Sequence, residues 1–370
     1  MSLRYLLRGQ MKFMASQGIE VHMASANGQE VEEVSKYEGC PHHIFNLTRS
    51  ITPITDVITI VKLVRFLKKE KYDIVHSHTP KAGLIAMLAS RLAGVRNRLH
   101  TVAGIPWMEA NGAKRVLLKQ VDKLAYSCAT EVYPNSFELK KFMLKEKLVA
   151  PKKLKVLGNG SSNGIDTSFF CPSSVPESKK ELRARYEVPK DKFVFVFVGR
   201  VVKDKGIEDL YNAFKTLSDQ CHLVLVGPFE QELDPISEEA INFFKASGNV
   251  SLMGYQNDVR PFLKLADALV LPSYREGFPN VPMQSGAMGI PSIVSNINGC
   301  NEIVVHGQNG LIVPVKDSKS LNESMNLLIQ DADLYRSLKG NSRKMITDRY
   351  DQKIMWKNIL NEYCRLNHNV

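Results

Sequence analysis

Short apolar runs, several of them almost purely apolar, recur along the second half of the sequence, and helix-length segments separate them. We predict strands at residues 193–198, 222–226, 250–253, 268–271, 292–295 and 311–313. Strands that are apolar throughout need helices on both faces of their sheet, which is typical of parallel sheets with crossover helices. This alternation leaves few folds open and predicts a doubly wound α/β domain.

The first part of the chain repeats the alternation, but it opens on a helix. An apolar pattern from Leu3 to Met14 precedes predicted strands at 19–24, 73–76, 98–102, 131–133 and 154–157. Domains of this kind usually begin with a central strand and its loop. Without that strand, its two neighbours would carry unpaired backbone groups. We therefore expect that the first strand of the N-terminal domain is missing, the alternative being a domain that is built differently.

The length of 370 residues exceeds what one hydrophobic core usually serves, so two domains are expected. A stretch rich in Gly, Pro and charge interrupts the alternation and predicts an interdomain connection. We predict an N-terminal Rossmann-like domain at 1–165, the connection at 166–190, a second Rossmann-like domain at 191–350 and a C-terminal helix at 351–370. The two sheets are expected to face each other across a cleft.

The positive charge of the chain is confined to one part of it. Residues 1–160 hold 25 Lys and Arg against 13 Asp and Glu, a net charge of +12, whereas the remainder holds 24 against 25. A basic half predicts an anionic partner, which could be a phosphorylated substrate, an anionic membrane surface or nucleic acid. Nucleic acid is not expected, because the sequence has no recognisable reading motif and no aromatic residues clustered among its basic ones.

The sequence shows no clear membrane span, signal peptide or disulfide pattern. No apolar run approaches the ~18 residues that a membrane span needs, and the N-terminus lacks the apolar core of a signal peptide, so a cytoplasmic location is expected. The six cysteines are scattered without a C-x-x-C pair. That pattern favours reduced thiols over a disulfide framework or a zinc site.

The loop after the predicted strand 268–271 holds Glu276, Gly277 and Phe278, and a helix is predicted from near Val281 to Gly289. In open α/β sheets ligands bind beyond the carboxyl ends of the strands, and amides that open the next helix can donate to a phosphate. A carboxylate there could hold hydroxyl groups close to that phosphate. The alternative is an ordinary connection with a solvated glutamate.

A second motif, Gly199-Arg200 with Lys205-Gly206, follows the predicted strand 193–198. Arg200 and Lys205 lie five residues apart around a turn and could converge on one diphosphate. Alone, the motif would indicate a solvated basic turn. Together with the Glu276 loop on the same predicted sheet, it favours a nucleotide-diphosphate site.

Several motifs in this order resemble those of the retaining glycosyltransferases of family 4, which have the two-domain GT-B fold. The resemblance covers most of the chain and is carried by residues 75–83, 159–166, 199–206, 226–228, 267–289, 299–303 and 306–311. It implies transfer of a sugar from a nucleotide-sugar donor with retention of the anomeric configuration. It also implies no metal and no cofactor, since the nucleotide sugar is a substrate.

The resemblance assigns roles to particular positions. It implies that Arg200 and Lys205 hold the diphosphate and that Glu276 orients the donor sugar, and these three are the expected catalytic residues. The full set of expected donor-binding residues is Gly199, Arg200, Lys205, Tyr255, Glu276, Gly277, Phe278, Asn280, Val281 and Gln284. The expected acceptor-side residues are His76, His78 and Lys81, for which a structural role is the alternative.

Two positions depart from the pattern of the family. Gln284 stands where the family has the second glutamate of a pair, and its amide can still hydrogen-bond ribose hydroxyls but carries no charge. Ala103 stands where relatives often carry histidine or another polar residue near the reacting sugar. The loop expected before the first helix is absent together with its strand. Donor binding is therefore better supported by the sequence than turnover.

The resemblance implies a glycosyltransferase of the kind that builds bacterial capsules and other surface polysaccharides. The expected donor is a UDP-sugar, and the expected acceptor is a lipid-linked saccharide or another polysaccharide precursor. The expected location is cytoplasmic and peripheral on the inner face of the membrane, which would suit the basic half. The alternatives are a nucleotide-sugar-binding protein with little or no transferase activity and a nucleotide-sugar epimerase of the same fold.

Overall fold

The computed structural model describes residues 2–48, 52–108, 110–217, 221–232 and 234–368. The chain divides into two compact units. The first unit comprises residues 1–164 together with 352–370, and the second comprises residues 165–351. Each unit contains parallel sheet and helices, so the predicted α/β class is confirmed.

Short strands and longer helices alternate in the part of the first unit that precedes residue 165. Its elements are α1 Ser2–Tyr5, α2 Gln10–Ser16, β1 Met23–Ser25, α3 Val31–Glu38, β2 His42–Ile44, α4 Pro53–Glu70, β3 Ile74–Ser77, α5 Pro80–Ala93, β4 Asn97–Val102, α6 Gly112–Cys128, β5 Glu131–Pro134 and α7 Phe137–Lys145.

The first unit has two parallel sheets rather than one. β1 pairs with β2, and β3, β4 and β5 form a three-stranded sheet in that order. Among the residues that the structure describes, no strand joins the two sheets, so β1 and β3 are edge strands of different sheets.

Two sequence predictions in this unit are wrong. The opening apolar pattern is not one helix, because Gly9 adopts a left-handed φ of 83° between α1 and α2. The predicted strand at 154–157 does not form. Only Leu154 makes a bridge, to Val132 of β5, directly after a helical turn at Pro151–Lys153. A single bridge does not extend the sheet.

The second unit contains one six-stranded parallel sheet, in the order β11-β10-β9-β6-β7-β8. Its elements are α8 Lys179–Arg185, β6 Phe193–Val198, α9 Ile207–Phe214, β7 Cys221–Val226, α10 Glu238–Ala246, β8 Val250–Gly254, α11 Arg260–Leu265, β9 Ala268–Leu271, α12 Asn280–Ala287, β10 Ser292–Ser295, α13 Cys300–Ile303, β11 Gly310–Val313, α14 Ser318–Gln330 and α15 Ala332–Tyr350.

Residues 166–190 belong to the second unit and are not a connection between units, which corrects the predicted boundary. Asp267, which precedes β9, accepts from Lys179 Nζ at 2.5 Å and from Arg183 Nη2 at 2.6 Å, and Leu182 between them is fully buried. Burial would raise the pKa of Asp267, but the two cations lower it. These ion pairs fix α8 to the sheet although the local composition resembles that of a linker.

The last helix, α16 Gln352–His368, returns the chain to the first unit. Trp356 and Ile359 are buried in a cluster with Leu99 and Tyr133 of the three-stranded sheet. Glu362 is 2% exposed and accepts from Tyr133 Oη at 3.0 Å and Lys155 Nζ at 2.7 Å. The C-terminal helix thus completes a core that begins more than 200 residues earlier.

Candidate donor site

The loops after three neighbouring strands of the second unit meet at the carboxyl edge of its sheet. β9 pairs with β6 on one side and with β10 on the other. The loops that follow these strands span residues 199–206, 272–279 and 296–299. Because all three strands are parallel, their loops emerge together, where open α/β sheets bind ligands.

The first two loops are joined by their backbone and by an ion pair. The Tyr274 N–H donates to the Asp204 carbonyl at 2.9 Å, and Arg275 Nε donates to Asp204 Oδ2 at 2.7 Å. Gly206 has a φ of 70°, and a Cβ there would lie 2.0 Å from the carbonyl oxygen of Pro272. Only glycine permits this approach, so the Lys205-Gly206 turn and the Glu276 loop form one surface.

Lys205 and Glu276 form an ion pair across the two loops. Lys205 Nζ lies 2.5 Å from Glu276 Oε1, and the side chains are 18% and 14% exposed. The buried Ser273 hydroxyl donates to the same oxygen at 3.0 Å. From the described parts of the chain, Glu276 Oε2 receives no hydrogen bond. The carboxylate is therefore fixed through one oxygen, and the other can accept from a ligand.

Arg200 points towards a different neighbour from Lys205. Its Nη1 lies 3.1 Å from Glu230 Oε2, in the loop after β7. Asp204, between the two cations in sequence, has a raised pKa because of burial, and both Lys205 and Arg200 act to lower it. The two cations thus flank Asp204. Their predicted convergence on one diphosphate stays a prediction.

The backbone of the Glu276 loop is fixed by contacts with Asn298 and Gly299 in the loop after β10. Asn298 Nδ2 donates to the Gly277 carbonyl at 2.5 Å, and Gly299, with a φ of 77°, would place a Cβ 2.6 Å from the same oxygen. The Phe278 ring packs towards the core, 5.5 Å from the ring of Tyr350. The contacts of Asn298, Gly299 and the Phe278 ring therefore fix the course of the Glu276 loop.

Helix α12 begins without a side-chain cap. Its N-cap residue is Pro279, which provides no side-chain cap, and no other described residue has a side chain that accepts from the amides of Asn280 and Val281. The N–H groups of Asn280 and Val281 have no acceptor within the helix, since the first turn of any helix lacks one, and Pro282 has no N–H. Two amide donors therefore remain at this helix end, next to Glu276. They suit an anionic ligand.

The remaining two donor-site candidates, Gln284 and Tyr255, lie in different parts of the second unit. Gln284 is half-buried one turn after Asn280 on α12, so it lies on the same face as that residue. Tyr255 follows β8 at the far edge of the sheet, with β7 between it and β6, and is 70% exposed. The structure groups Gln284 with the Glu276 loop and leaves Tyr255 apart from it.

Sequence reasoning missed residues that shape this site. Ser273 and Asn298 received no role, although both contact the Glu276 loop, and Asp204 was passed over between the two cations. Residues 299–303 were recognised as a motif without a function. The one available signal was the serine three positions before Glu276, which is a common loop residue.

Two of the three acceptor-side candidates have structural partners within the first unit. Both ring nitrogens of His76 are engaged, Nδ1 with Tyr363 Oη at 2.7 Å and Nε2 with Thr101 Oγ1 at 2.8 Å. Lys81 Nζ lies 2.8 Å from Asp56 Oδ1 and 2.8 Å from Thr48 Oγ1. Their role towards an acceptor stays a prediction.

His78 lies beside His76 in a different environment. The two rings are 4.2 Å apart, and His78 Nδ1 is buried without a hydrogen-bond partner among the described residues. Burial, together with the nearby His100, lowers the pKa of His78 to about 3. His78 is therefore a neutral imidazole near pH 7, and its unused Nδ1 can accept or donate one hydrogen bond, depending on the tautomer.

Two families match different parts of the chain. Residues 178–345 match "Glycosyl transferases group 1", and residues 3–136 match "Glycosyl transferase 4-like". The first match contains every residue that the resemblance assigns to the donor, and the second contains the three acceptor-side candidates.

Individual relatives extend these matches over nearly the whole chain. The Staphylococcus aureus capsular polysaccharide biosynthesis glycosyltransferase CapM is 33% identical, covering 97% of this chain and 93% of its own. An Escherichia coli protein named UDP-Gal:alpha-D-GlcNAc-diphosphoundecaprenol alpha-1,3-galactosyltransferase is 32% identical over 82% and 78% of the two chains.

A solved structure shares the fold. Anabaena HepE, crystallised with UDP and glucose, superposes with a TM-score of 0.81 at 19% identity, covering 99% of this chain and 96% of its own. The predicted GT-B fold is confirmed by this likeness, and the predicted family by the matches in sequence. With a third of its residues identical to those of CapM along almost its full length, this chain belongs to the family 4-like, group 1 glycosyltransferases.

Proposed function

We propose that this glycosyltransferase moves a sugar from a UDP-sugar to a lipid-linked saccharide, as a step in building a surface polysaccharide, with retention. The observation that carries the donor half is the Lys205–Glu276 ion pair beside the uncapped start of α12. A cation, free amides and a carboxylate with one open oxygen match a diphosphate joined to a polyol.

The cations and helix amides of the donor site would bind the diphosphate and stabilise it as the leaving group. The Lys205 ammonium has three donors, so it can keep Glu276 and still bind a phosphate oxygen. In the reaction the bond between the anomeric carbon and the diphosphate breaks, and the acceptor hydroxyl bonds to that carbon while its proton passes to the leaving diphosphate. Lys205, Arg200 and the α12 amides would stabilise the growing negative charge. The proposal includes no metal or cofactor.

The sugar would be oriented from the other side of the loop. Glu276 Oε2 would accept from a sugar hydroxyl while Lys205 and Ser273 hold Oε1. The amides of Gly277 and Phe278 would line the sugar and phosphates, and Gln284 would hydrogen-bond the ribose. Tyr255 would lie near the base, on the side of the site towards β8, two strands away from β6.

The identity of the substrates rests on relatives. The name of the E. coli protein gives UDP-galactose as donor and a diphosphoundecaprenol-linked sugar as acceptor, and CapM is named for capsular polysaccharide. HepE was crystallised with UDP. These names support a UDP-sugar and a polyprenyl-diphosphate acceptor for this chain, with His76, His78 and Lys81 on the acceptor side.

Such an acceptor resides in a membrane. In the residues that the structure describes, no helix is both long and apolar enough to span one. We propose that the protein works peripherally at the inner face, where the basic residues of the first unit would meet anionic lipid.

The test is a transfer assay with purified protein, a panel of UDP-sugars and a polyprenyl-diphosphate-linked saccharide. We expect a product whose new bond keeps the anomeric configuration, detected by NMR, and loss of product with Glu276→Ala. If a UDP-sugar raises the melting temperature of the protein but its sugar is not transferred to any acceptor, the nucleotide-sugar-binding alternative is favoured. Conversion of the donor sugar without an acceptor would favour the epimerase.

A further inference from the structure

Helix α4 of the first unit carries an apolar stripe that faces outward. Ile54, Val57, Ile58 and Val61 are 79%, 61%, 51% and 44% exposed. Their spacing of three and four residues places them on one face of the helix. Branched aliphatic side chains exposed in a row are unusual on a protein surface and indicate a binding face.

The same outward face becomes cationic in the second half of the helix. Lys62, Arg65, Lys68 and Lys69 are all exposed and continue the stripe at helical spacing. The exposed face of α4 is thus apolar over its first two turns and basic over the rest.

The acidic residues of α4 offset at most one of these four cations. Asp56 lies 2.8 Å from Lys81 Nζ on α5. Burial would raise the pKa of Asp56, and its hydrogen bonds to Lys81 and Thr52 lower it instead. Glu70, at the end of the helix, lies 3.4 Å from Lys69 Nζ. The basic half of the stripe therefore keeps a net positive charge.

The outward stripe is not needed to hold α4 in the fold. The opposite face buries Leu63 and Leu67 against Ile85 and Ala89 of α5. Because the inner face alone anchors the helix, a second apolar face on the outside is unexplained by packing. The outward stripe has the composition of an amphipathic helix that lies in a membrane interface.

A second apolar area lies on α6, which packs against α5, the helix that α4 also contacts. Val116 and Leu117 are 59% and 56% exposed. Lys114 and Arg115 precede them and are also exposed. The first unit therefore repeats the combination of exposed aliphatic and basic residues on two of its helices.

We propose that the outward stripe of α4, assisted by Val116 and Leu117 of α6, docks on an anionic lipid bilayer. The aliphatic residues would enter the boundary between headgroups and acyl chains, and the four cations would contact anionic headgroups. A second copy is a poorer occupant, because residues 1–160 carry a net charge of +12 and would repel their like. The inference rests on the proposed function, which needs a lipid-linked acceptor.

The apolar part is tested by co-sedimentation with vesicles containing phosphatidylglycerol. We expect the Ile54→Ser/Val57→Ser/Ile58→Ser variant to partition at least about tenfold less than wild type, since three aliphatic side chains leave the interface. Leu92→Ser is the matched control, because Leu92 is 58% exposed on α5 but lies outside the stripe. Partitioning of the triple variant equal to that of wild type would overturn the proposal.

The charged part is tested by a second pair of variants. Lys62→Glu/Arg65→Glu should lose most binding at low salt, whereas Lys245→Glu, an exposed lysine of the second unit, should bind as wild type does. Equal binding of wild type to phosphatidylcholine and phosphatidylglycerol vesicles at low salt would overturn the anionic preference. A wild-type dimer that the triple variant dissociates without lipid would assign the stripe to a second copy instead.

Insertion is read directly with Ile58→Trp. We expect a blue shift of its emission on phosphatidylglycerol vesicles and quenching by brominated acyl chains, and no such change would overturn insertion. In parallel, the rise in melting temperature with UDP should be the same in every variant. If wild type binds UDP but not lipid, this inference alone is overturned. If wild type does not bind UDP, the result contradicts the proposed function instead.

Discussion

Lys205 and Glu276 illustrate what a motif can and cannot reveal. The sequence pointed to both residues, but it gave no indication that they pair, because they follow different strands and meet only through the order of the sheet. Ser273 and Asn298 escaped notice because serine and asparagine are ordinary in loops, and only their hydrogen bonds distinguish them.

The ion pair predicts unequal effects of removing neighbouring cations. Lys205→Met should weaken UDP binding by roughly 1.5–3 kcal/mol, the usual worth of a charge-assisted hydrogen bond, and Arg200→Met should act in the same direction. Lys203→Met is the control, since it lies exposed in the same turn and is not assigned to the donor. Calorimetry with UDP gives the answer, and equal losses for Lys203→Met and Lys205→Met would contradict the assignment.

Ser273 should act through Glu276. Ser273→Ala removes the buried hydroxyl that holds Glu276 Oε1, so the carboxylate should lose its orientation towards the sugar. We expect kcat to fall about tenfold with little change in UDP affinity, because the sugar rather than the diphosphate loses a contact. Steady-state kinetics beside calorimetry distinguish this result from a general loss of structure, which would lower both.

Asp122 links the stability of the first unit to pH. It is buried beneath Trp107, whose Nε1 donates to it at 2.8 Å, and burial raises its pKa to about 6. Between about pH 4 and 6 the unfolded chain releases the Asp122 proton while the folded chain keeps it, so this residue lowers stability as pH rises. Asp122→Asn should therefore stabilise the protein by about 2–3 kcal/mol at pH 7 and hardly at pH 4. Denaturant titration at both values measures the difference, and an equal gain at both would refute the linkage.

At the scale of elements, the strands of the second unit were predictable and those of the first were less so. The predictions at 193–198, 268–271 and 292–295 agree with β6, β9 and β10, and the first two runs are apolar throughout because both faces of those strands are buried. β2 was not predicted, since two of its three residues are half-buried histidines and the third, Ile44, is exposed. Short, half-exposed strands leave no such pattern.

Helix α16 owes part of its attachment to one buried carboxylate. Burial would raise the pKa of Glu362, but hydrogen bonds from Arg365, Lys155 and Tyr133 lower it to about 2. A lowered carboxyl pKa stabilises the fold above the unfolded value of 4.5, and the gain disappears as pH falls towards 2.

Removing the charge of Glu362 should expose this contribution. We expect Glu362→Gln to cost about 2–3 kcal/mol at pH 7 and progressively less between pH 4.5 and 2. Glu323→Gln on α14 is the control, since Glu323 is 64% exposed. Chemical denaturation across this range gives the comparison, and a cost independent of pH would contradict the role of the charge.

At the scale of the whole molecule, length and alternation predicted two domains, but not their membership. The assignment of 166–190 to a connection failed because Asp267, far along the sequence, binds α8 to the second sheet. The asymmetry of charge was visible in the sequence. The sequence did not show that basic and exposed aliphatic residues share one face of α4. An apolar stripe at helical spacing usually indicates a buried face, and only the structure shows that this stripe is exposed.

Two ligands should leave separate footprints on the two units. UDP should slow amide exchange at Gly277, Phe278, Asn280 and Val281, where its phosphates would bind, and phosphatidylglycerol vesicles should slow exchange along α4. Hydrogen exchange followed by mass spectrometry resolves both regions in one sample. Protection of α4 by UDP alone would show that the two surfaces are not independent.

The return of α16 to the first unit has a consequence for synthesis on the ribosome. Residues 165–351 are contiguous, so the second unit has its whole sequence once Asp351 has left the exit tunnel. The first unit is translated first and yet lacks Trp356 and Ile359 until the entire second unit has been made. Domains generally fold in the order of their synthesis. Here the unit that emerges first waits longest for its full sequence, and Leu99 and Tyr133 stay uncovered until α16 has been made. Translation that stops after Asp351 would release a complete second unit attached to an incomplete first unit.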